Sequence, residues 1–600
     1  MGFATACTGG FGDFLSTSLL FKIFQLFHYP DANTPITRDA CAEGGRAAKW
    51  DLPAGEIDCI SIAAMIDTVS QSGSRRSFFD FEPDARVWFV GFLVVFGLLA
   101  AWFYRGINRA WIEDDNYYGA IYAQAAHNNL RAGLGTTAAV PATLYFGPLP
   151  IPRDAFYVHH PTLLPLLETA TFAVLGEAEW STRLVPVFSS LLSLVLIWLL
   201  VSDCVNRRAA MLSAAVFAFL PMEFHYGDMV DFEPCLVMLM LAALVCLRYW
   251  QKGAAIWGWL AALCCLLAVN MDWPGYLFVL SVTGWFLWKG PKNKRLFAVA
   301  LLGLCGVSGI VFLLQIRHVN PDAWSDLLTA LKMRLGNGVG TGSSAAEEHQ
   351  AVHFTLGQWW HAVSVNALYA DFLYTPWILA GIGLLFIVIK GKGSAGLRWV
   401  GWAAFHMIVA GVLYVVILRN ESFIHDFTAF YLIGSVGILA GLGIEALIRR
   451  VKTVTFLRPM RIILIAGLLG WLAYSGIVQS EKMRSPFYML DGVTAEPAEL
   501  IPDMGKFLAA KFTPETTIFC NFDPYSSVLP YYAQRTILTS LTSFEFWKDY
   551  MAQDKGPFGG IIWVDAPEAS EILSELPKNE VTPFDLDGFH FALWRPGKQE

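Results

Sequence analysis

The chain has 600 residues, 55% of them hydrophobic and 15% charged, with a mean hydropathy of +0.47 and a formal net charge of −8. A soluble domain carries roughly 25% charged residues, so a single globular core is excluded and repeated membrane spans are implied. The acidic balance, with no basic stripe interleaved with aromatics, argues against a nucleic-acid partner.

Residues 1–85 contain one apolar stretch, roughly 14–28, without the basic start or small-residue cleavage site of a signal peptide. The sequence assigns this segment no role. Residues 86–480 form the expected membrane domain, with about eleven spans over 88–104, 183–202, 209–222, 232–249, 254–270, 275–289, 296–316, 377–390, 398–418, 428–447 and 461–478. The run 162–175 opens with Pro161 and Pro165 and is too short for a full span, so it reads as an interfacial helix. Basic residues then fall on one side: Arg207–Arg208, Arg248 and Lys252, Lys289 to Arg295, Lys390 to Arg398, and Arg449 to Arg461. The positive-inside rule puts these in the cytoplasm and the acidic, histidine-bearing loops outside. Residues 481–600 lose the long apolar runs. Strand-like Thr516–Cys520, Gly560–Val564 and His590–Trp594, with a helical run at Pro567–Leu576, predict a small α/β domain on the outer face. The ten cysteines include no C-x-x-C, and six lie in or beside apolar runs, where Cys acts as a small hydrophobe.

Chemistry is expected in the outer loops. The first begins Trp111-Ile112-Glu113-Asp114-Asp115-Asn116-Tyr117-Tyr118. Three consecutive acids beside a span are either a solvated loop or an acid/base site in which mutual repulsion separates the pKa values. The loop continues to Tyr157-Val158-His159-His160-Pro161, where two histidines could be structural, hold a phosphate or bind metal, although no further His at helical spacing completes a ligand set. Gly176-Glu177-Ala178-Glu179-Trp180-Ser181-Thr182-Arg183-Leu184 opens the next span, and Arg183 could equally snorkel.

Taken in order and spacing, these segments resemble the dolichyl-phosphate-mannose protein mannosyltransferases in their broad bacterial sense, a group including the lipid A aminoarabinose transferases (glycosyltransferase family 39-like). Tyr226-Gly227-Asp228-Met229-Val230-Asp231 and Glu421-Ser422-Phe423-Ile424-His425-Asp426-Phe427 extend the likeness over roughly 88–450. The chain departs from the pattern at Asp114–Asp115, where many relatives have Asp-Glu, and at His160-Pro161-Thr162, where many have Lys-Pro-Pro. The Arg expected shortly before Asp231 is absent.

The resemblance implies a GT-C fold and inverting transfer of a sugar from a polyprenyl-phosphate donor to a glycan, lipid or protein acceptor. It also implies a bacterial inner membrane, with the site and C-terminal domain facing the periplasm. Asp114 matches the general base, with Asp115 and Asp231 supporting it. His160, Arg183, Arg317 and His425 are candidates for the donor phosphate, and Tyr117, Tyr118, His159 and Asp228 for positioning donor or acceptor. No nucleotide-binding glycine motif is present, and nothing in the sequence demands a cofactor, although a divalent metal is compatible with the acidic loop. The rival classes are a transporter, disfavoured by nearly charge-free spans without an internal repeat, and a non-catalytic envelope-assembly scaffold. An oligosaccharyltransferase would carry a Trp-Trp-Asp signature in the tail, and this tail has none.

Overall fold

The computed structural model describes residues 85–111, 117–335, 354–451, 461–484, 500–521, 528–539, 547–548, 551–552, 557–565, 569–586 and 588–596. The apolar stretch at 14–28 and the acids Asp114 and Asp115 lie outside the described residues.

The membrane domain begins with α1 (Ala85–Gly106), then α2 (Tyr117–Ala132) in the first loop, α3 (Leu163–Leu175) and α4 (Glu179–Cys204). Next come α5 (Arg207–Phe219), the short α6 (Pro221–Tyr226), α7 (Phe232–Gln251), α8 (Ala255–Met271), α9 (Trp273–Lys289) and α10 (Lys292–Val319). A long loop carries α11 (Ala323–Arg334) and α12 (Leu356–Val365); α13 (Tyr374–Lys390), α14 (Ala395–Ile417), the short α15 (Arg419–Ile424), α16 (Ile433–Val451) and α17 (Arg461–Met483) complete the bundle.

Every segment expected to span is helical. Among the described residues eight helices are long and apolar enough to cross a membrane: α1, α4, α7, α10, α13, α14, α16 with the turn before it, and α17. The other three expected spans, α5, α8 and α9, have 13, 17 and 17 residues. Helix α5 is buried along almost its whole length, as an internal helix must be when it is apolar all round. The interfacial run is α3, whose 13 residues rise only ~20 Å against a hydrocarbon core of about 30 Å. It ends at Gly176, whose φ of +84° lies in the left-handed region open to glycine. Small residues let α13 and α16 pack closely: a Cβ at Gly383 of α13 would collide with the Leu439 carbonyl of α16, and one at Gly443 with the Leu379 carbonyl.

The C-terminal domain adds α18 (Ile501–Lys511), β1 (Thr517–Cys520), α19 (Val528–Ala533), β2 (Ile537–Thr539), β3 (Phe558–Trp563), α20 (Ala569–Glu575), β4 (Val581–Leu586) and β5 (Phe589–Trp594). The sheet order is β2-β1-β3-β5-β4, with β1 parallel to both neighbours and β5 antiparallel to both of its own. Strand alternation covers both faces. Phe519, Ile562, Ala592 and Trp594 pack with Ile572 of α20, while Ile518, Ile561, Phe591 and Leu593 join Met504 and Leu508 of α18.

This domain is seated on the first loop of the membrane domain. The Trp111 amide donates to the Tyr532 hydroxyl at 3.0 Å and the Phe146 amide to Thr536 Oγ1 at 3.1 Å. The Tyr531 ring stands edge-on to Trp111 at 6.3 Å.

Candidate active site

Three segments far apart in sequence meet at one end of the spans. The first approaches after α1 and is held rigidly. Arg183 in α4 is fully buried, lies 3.9 Å over the Trp111 ring, and donates from one nitrogen to the carbonyls of Arg109 at 2.5 Å and Ile107 at 3.3 Å. Arg109 in turn pairs with buried Asp228 at 3.0 Å, and Arg484 approaches the same carboxylate at 3.7 Å. Two residues expected to touch substrate, Arg183 and Asp228, are thus placed as anchors of the chain entering the acidic loop.

On the far side of that loop Tyr117 and Tyr118 open α2, with ring centroids 4.1 Å apart. Tyr118 stands edge-on to Phe427 at 5.7 Å. Its hydroxyl is pushed up by burial first, then by Tyr117, Asp231 and Glu421, so the exit of the acidic loop faces both the Asp231 and Glu421 carboxylates.

Arg334, the last residue of α11, supplies the cation of the cluster. It donates to the Tyr157 hydroxyl at 3.2 Å and from Nε to Glu421 at 3.0 Å, with its side chain only 16% exposed. Burial works to lower the guanidinium pKa, but Glu421 and then Tyr157 hold it above its ordinary value, so it stays charged. Burial lifts the Tyr157 hydroxyl to about 12, opposed by Arg334. His425 Nε2 lies 3.8 Å from the other Glu421 oxygen, and its ring leans on Phe427 at 4.9 Å. Two of the guanidinium's five N–H donors are engaged by these contacts, and the rest of the fork suits an oxyanion.

Deeper lies a polar chain. His160, stacked on Phe232 at 4.6 Å and Tyr157 at 5.8 Å, joins Asp272 through Nδ1 at 3.0 Å. The second Asp272 oxygen accepts from the Tyr431 hydroxyl at 2.5 Å, which also lies 3.1 Å from Glu233. Asp231 caps α7 by accepting from the Phe232 amide at 2.8 Å. His159 contributes its carbonyl, which accepts from the Trp273 indole at 2.9 Å. Because a carboxylate only accepts, Nδ1 of His160 carries the proton and Nε2 of the neutral ring is an acceptor. The ring stays neutral because burial disfavours its charged form and Arg334 repels it, Asp272 opposing both.

The sign of the resulting pH dependence is fixed. The unfolded chain takes up a proton at His160 near pH 6.5 that the folded chain takes up only at lower pH, so stability is lost as pH falls below about 6.5. Thermal unfolding should drop between about pH 7.5 and about 5.5, with a contribution from this group of at most ~1.4 kcal/mol per pH unit. His160→Gln should flatten that slope, and an unchanged slope in the variant would contradict the placement.

The structure therefore brings together Tyr117, Tyr118, His160, Asp231 and His425 from the sequence-derived set. Arg317 is exposed near the end of α10, and among the described residues no hydrogen bond or ion pair ties it to the cluster. The sequence reading missed Arg334, Glu421 and Tyr157 as its partners, Tyr431, Glu233 and the role of Asp272. For Arg334 the one sequence signal was its place at the end of an apolar-faced helix in the longest loop between spans. Among the described residues no three His, Cys, Asp or Glu side chains converge as a metal site.

The family model described as dolichyl-phosphate-mannose-protein mannosyltransferase matches residues 159–315, a window opening on the His159–His160 pair and containing Arg183, Asp231 and Asp272. It is narrower than the expected 88–450. No curated protein sequence matches the chain. ArnT from Cupriavidus metallidurans, solved without ligand and with undecaprenyl phosphate bound, superposes with a TM-score of 0.54 at 14% identity, covering 85% of this chain and 98% of its own. The oligosaccharyltransferase AglB from Archaeoglobus fulgidus, in complex with an inhibitory peptide and a dolichol-phosphate, gives a TM-score of 0.49 at 11% identity, covering 85% of this chain and 74% of its own. The expected resemblance and fold class are both borne out: the chain is a polytopic membrane protein of the GT-C fold, carrying over residues 159–315 the sequence pattern of the dolichyl-phosphate-mannose-protein mannosyltransferases.

Proposed function

We propose that this chain is an inverting glycosyltransferase that moves a sugar from a polyprenyl-phosphate donor to an acceptor hydroxyl on the outer face of its membrane, which in a bacterium is the periplasmic face of the inner membrane. The observation that carries the reading is the convergence of Arg334, Tyr157 and His425 at one end of the spans, beside the flank of an acidic loop. Family pattern and fold support the reaction class. The orientation is supported by the basic residues at the opposite helix ends, Lys390, Arg449 and Arg450 among them.

The chemistry follows from the charges. The acceptor oxygen attacks the anomeric carbon as Asp114 takes its proton, and the bond from that carbon to the phosphate oxygen breaks on the opposite face, inverting the centre. Negative charge grows on the departing polyprenyl phosphate, where Arg334, His425 and the Tyr157 hydroxyl can donate to it in a shielded site. Asp231 and Asp115 orient the acceptor or tune the base. His160, neutral and held by Asp272, shapes the wall through Phe232 and Tyr157. This division of labour gives the phosphate to Arg334 in place of Arg183 and Arg317.

Undecaprenyl phosphate without sugar is the probe for this site. Purified protein should bind it, and Arg334→Gln and His425→Ala should each weaken binding about tenfold or more, since hydrogen bonds to charged groups contribute roughly 1.5–3 kcal/mol. The double variant should be non-additive because the two side chains share Glu421. Unchanged binding with only a fall in melting temperature would reduce both residues to structural roles.

A further inference from the structure

At the opposite end of the spans lies a cavity of about 570 Å³, lined by Lys390, Arg449 and Arg450 and walled by Phe386, Leu397 and Val205. Among the described residues no carboxylate lines it. Two acids stand beside the lining residues and both are over-committed: Asp203 accepts from Arg248 and Lys252, and buried Glu445 accepts from Arg208 twice, at 2.6 and 2.8 Å, and from Arg449 once, at 2.7 Å. At Glu445 one negative charge thus faces two guanidiniums, and Lys390 adds a further positive charge at the mouth, beside Arg450. Arg449 also lies 5.4 Å over the Phe386 ring, which places a cation on the apolar wall.

The cavity is also at a bilayer boundary. In the two turns of α13 before Lys390, Leu384, Leu385, Val388 and Ile389 are 51–62% exposed, and in a spanning helix such side chains face acyl chains. The distance from the candidate active site is set by the segment Asp426–Arg450, whose 25 residues cover roughly 35 Å.

We infer that this cavity is a binding site for a glycerophospholipid with a net-negative headgroup, in the leaflet opposite the candidate active site. The phosphate sits among Lys390, Arg449 and Arg450, and the acyl chains descend along α13. Basic pockets between spanning helices recognise anionic headgroups in this way. The excess of positive charge selects an anionic over a zwitterionic lipid, and the adjoining lipid-facing wall selects a lipid over a free phosphate.

Full-length protein in detergent, titrated by native mass spectrometry with a phosphatidylglycerol and a phosphatidylcholine of identical acyl chains, tests this. Wild type should prefer phosphatidylglycerol. Lys390→Gln/Arg450→Gln should weaken its binding about fivefold for each basic side chain removed, leaving phosphatidylcholine binding unchanged. Glu445 keeps Arg208 and Arg449 in that variant, so its fold should survive; if it does not, Lys390→Gln alone should still show about the fivefold loss. A preference that persists in the variant overturns the proposal. An equal loss in Lys292→Gln/Arg295→Gln, at the start of α10, would mean bulk charge and also overturns it. Displacement of the lipid by inorganic phosphate would make the pocket a soluble-anion site and overturns it too.

Discussion

Replacing Arg334 with Gln should lower the rate of sugar transfer by about 10²–10³-fold, the usual consequence of removing one preorganised donor from a developing oxyanion. The side chain is charged, nearly buried and positioned by Tyr157 and Glu421, so little reorganisation is needed as the phosphate leaves. Arg334→Lys should recover only part of the loss, because a point charge cannot reproduce a planar fork that holds Glu421 and Tyr157 while contacting a third group. Initial rates in proteoliposomes, with matched unfolding temperatures, measure this. A near-wild-type rate in Arg334→Gln would leave the cluster as a structural ion pair.

Asp114→Asn should cost about 10²-fold or more, the lower range for loss of general-base assistance, while the protein remains folded and extractable. Of the residues flanking it, Trp111 packs against Arg183 and Tyr531, and Tyr117 and Tyr118 open α2. Asp115→Asn should cost less. Wild-type turnover in Asp114→Asn would pass the role of base to Asp115 or Asp231.

Hydropathy revealed the helices because a bilayer demands long apolar runs whatever their tertiary neighbours. Strands β1, β3 and β5 were legible for a similar reason, being buried and rich in Ile, Phe and Trp. The edge strands were not: β2 is three residues long, and β4 carries Pro583 and an exposed face, which disguise a strand. At the site, Tyr118, His160, Asp231 and His425 stand in recognisable segments. Arg334 does not, since beside Lys332 it reads as an ordinary basic end to α11, and only the fold brings it to Tyr157 and Glu421. Arg183 shows the converse. An arginine at the start of a span reads as snorkelling or substrate-binding, yet the chain leaving α1 crosses it and presents the carbonyls of Ile107 and Arg109.

The most direct measurement is mass spectrometry of polyprenyl lipids and envelope glycans from cells with the gene, without it, and complemented by Arg334→Gln. Loss of the gene should accumulate one polyprenyl-phosphate-linked sugar and remove that same sugar from one envelope product, and the variant should fail to restore either. Identical lipid and glycan profiles with and without the gene would contradict a role in sugar transfer.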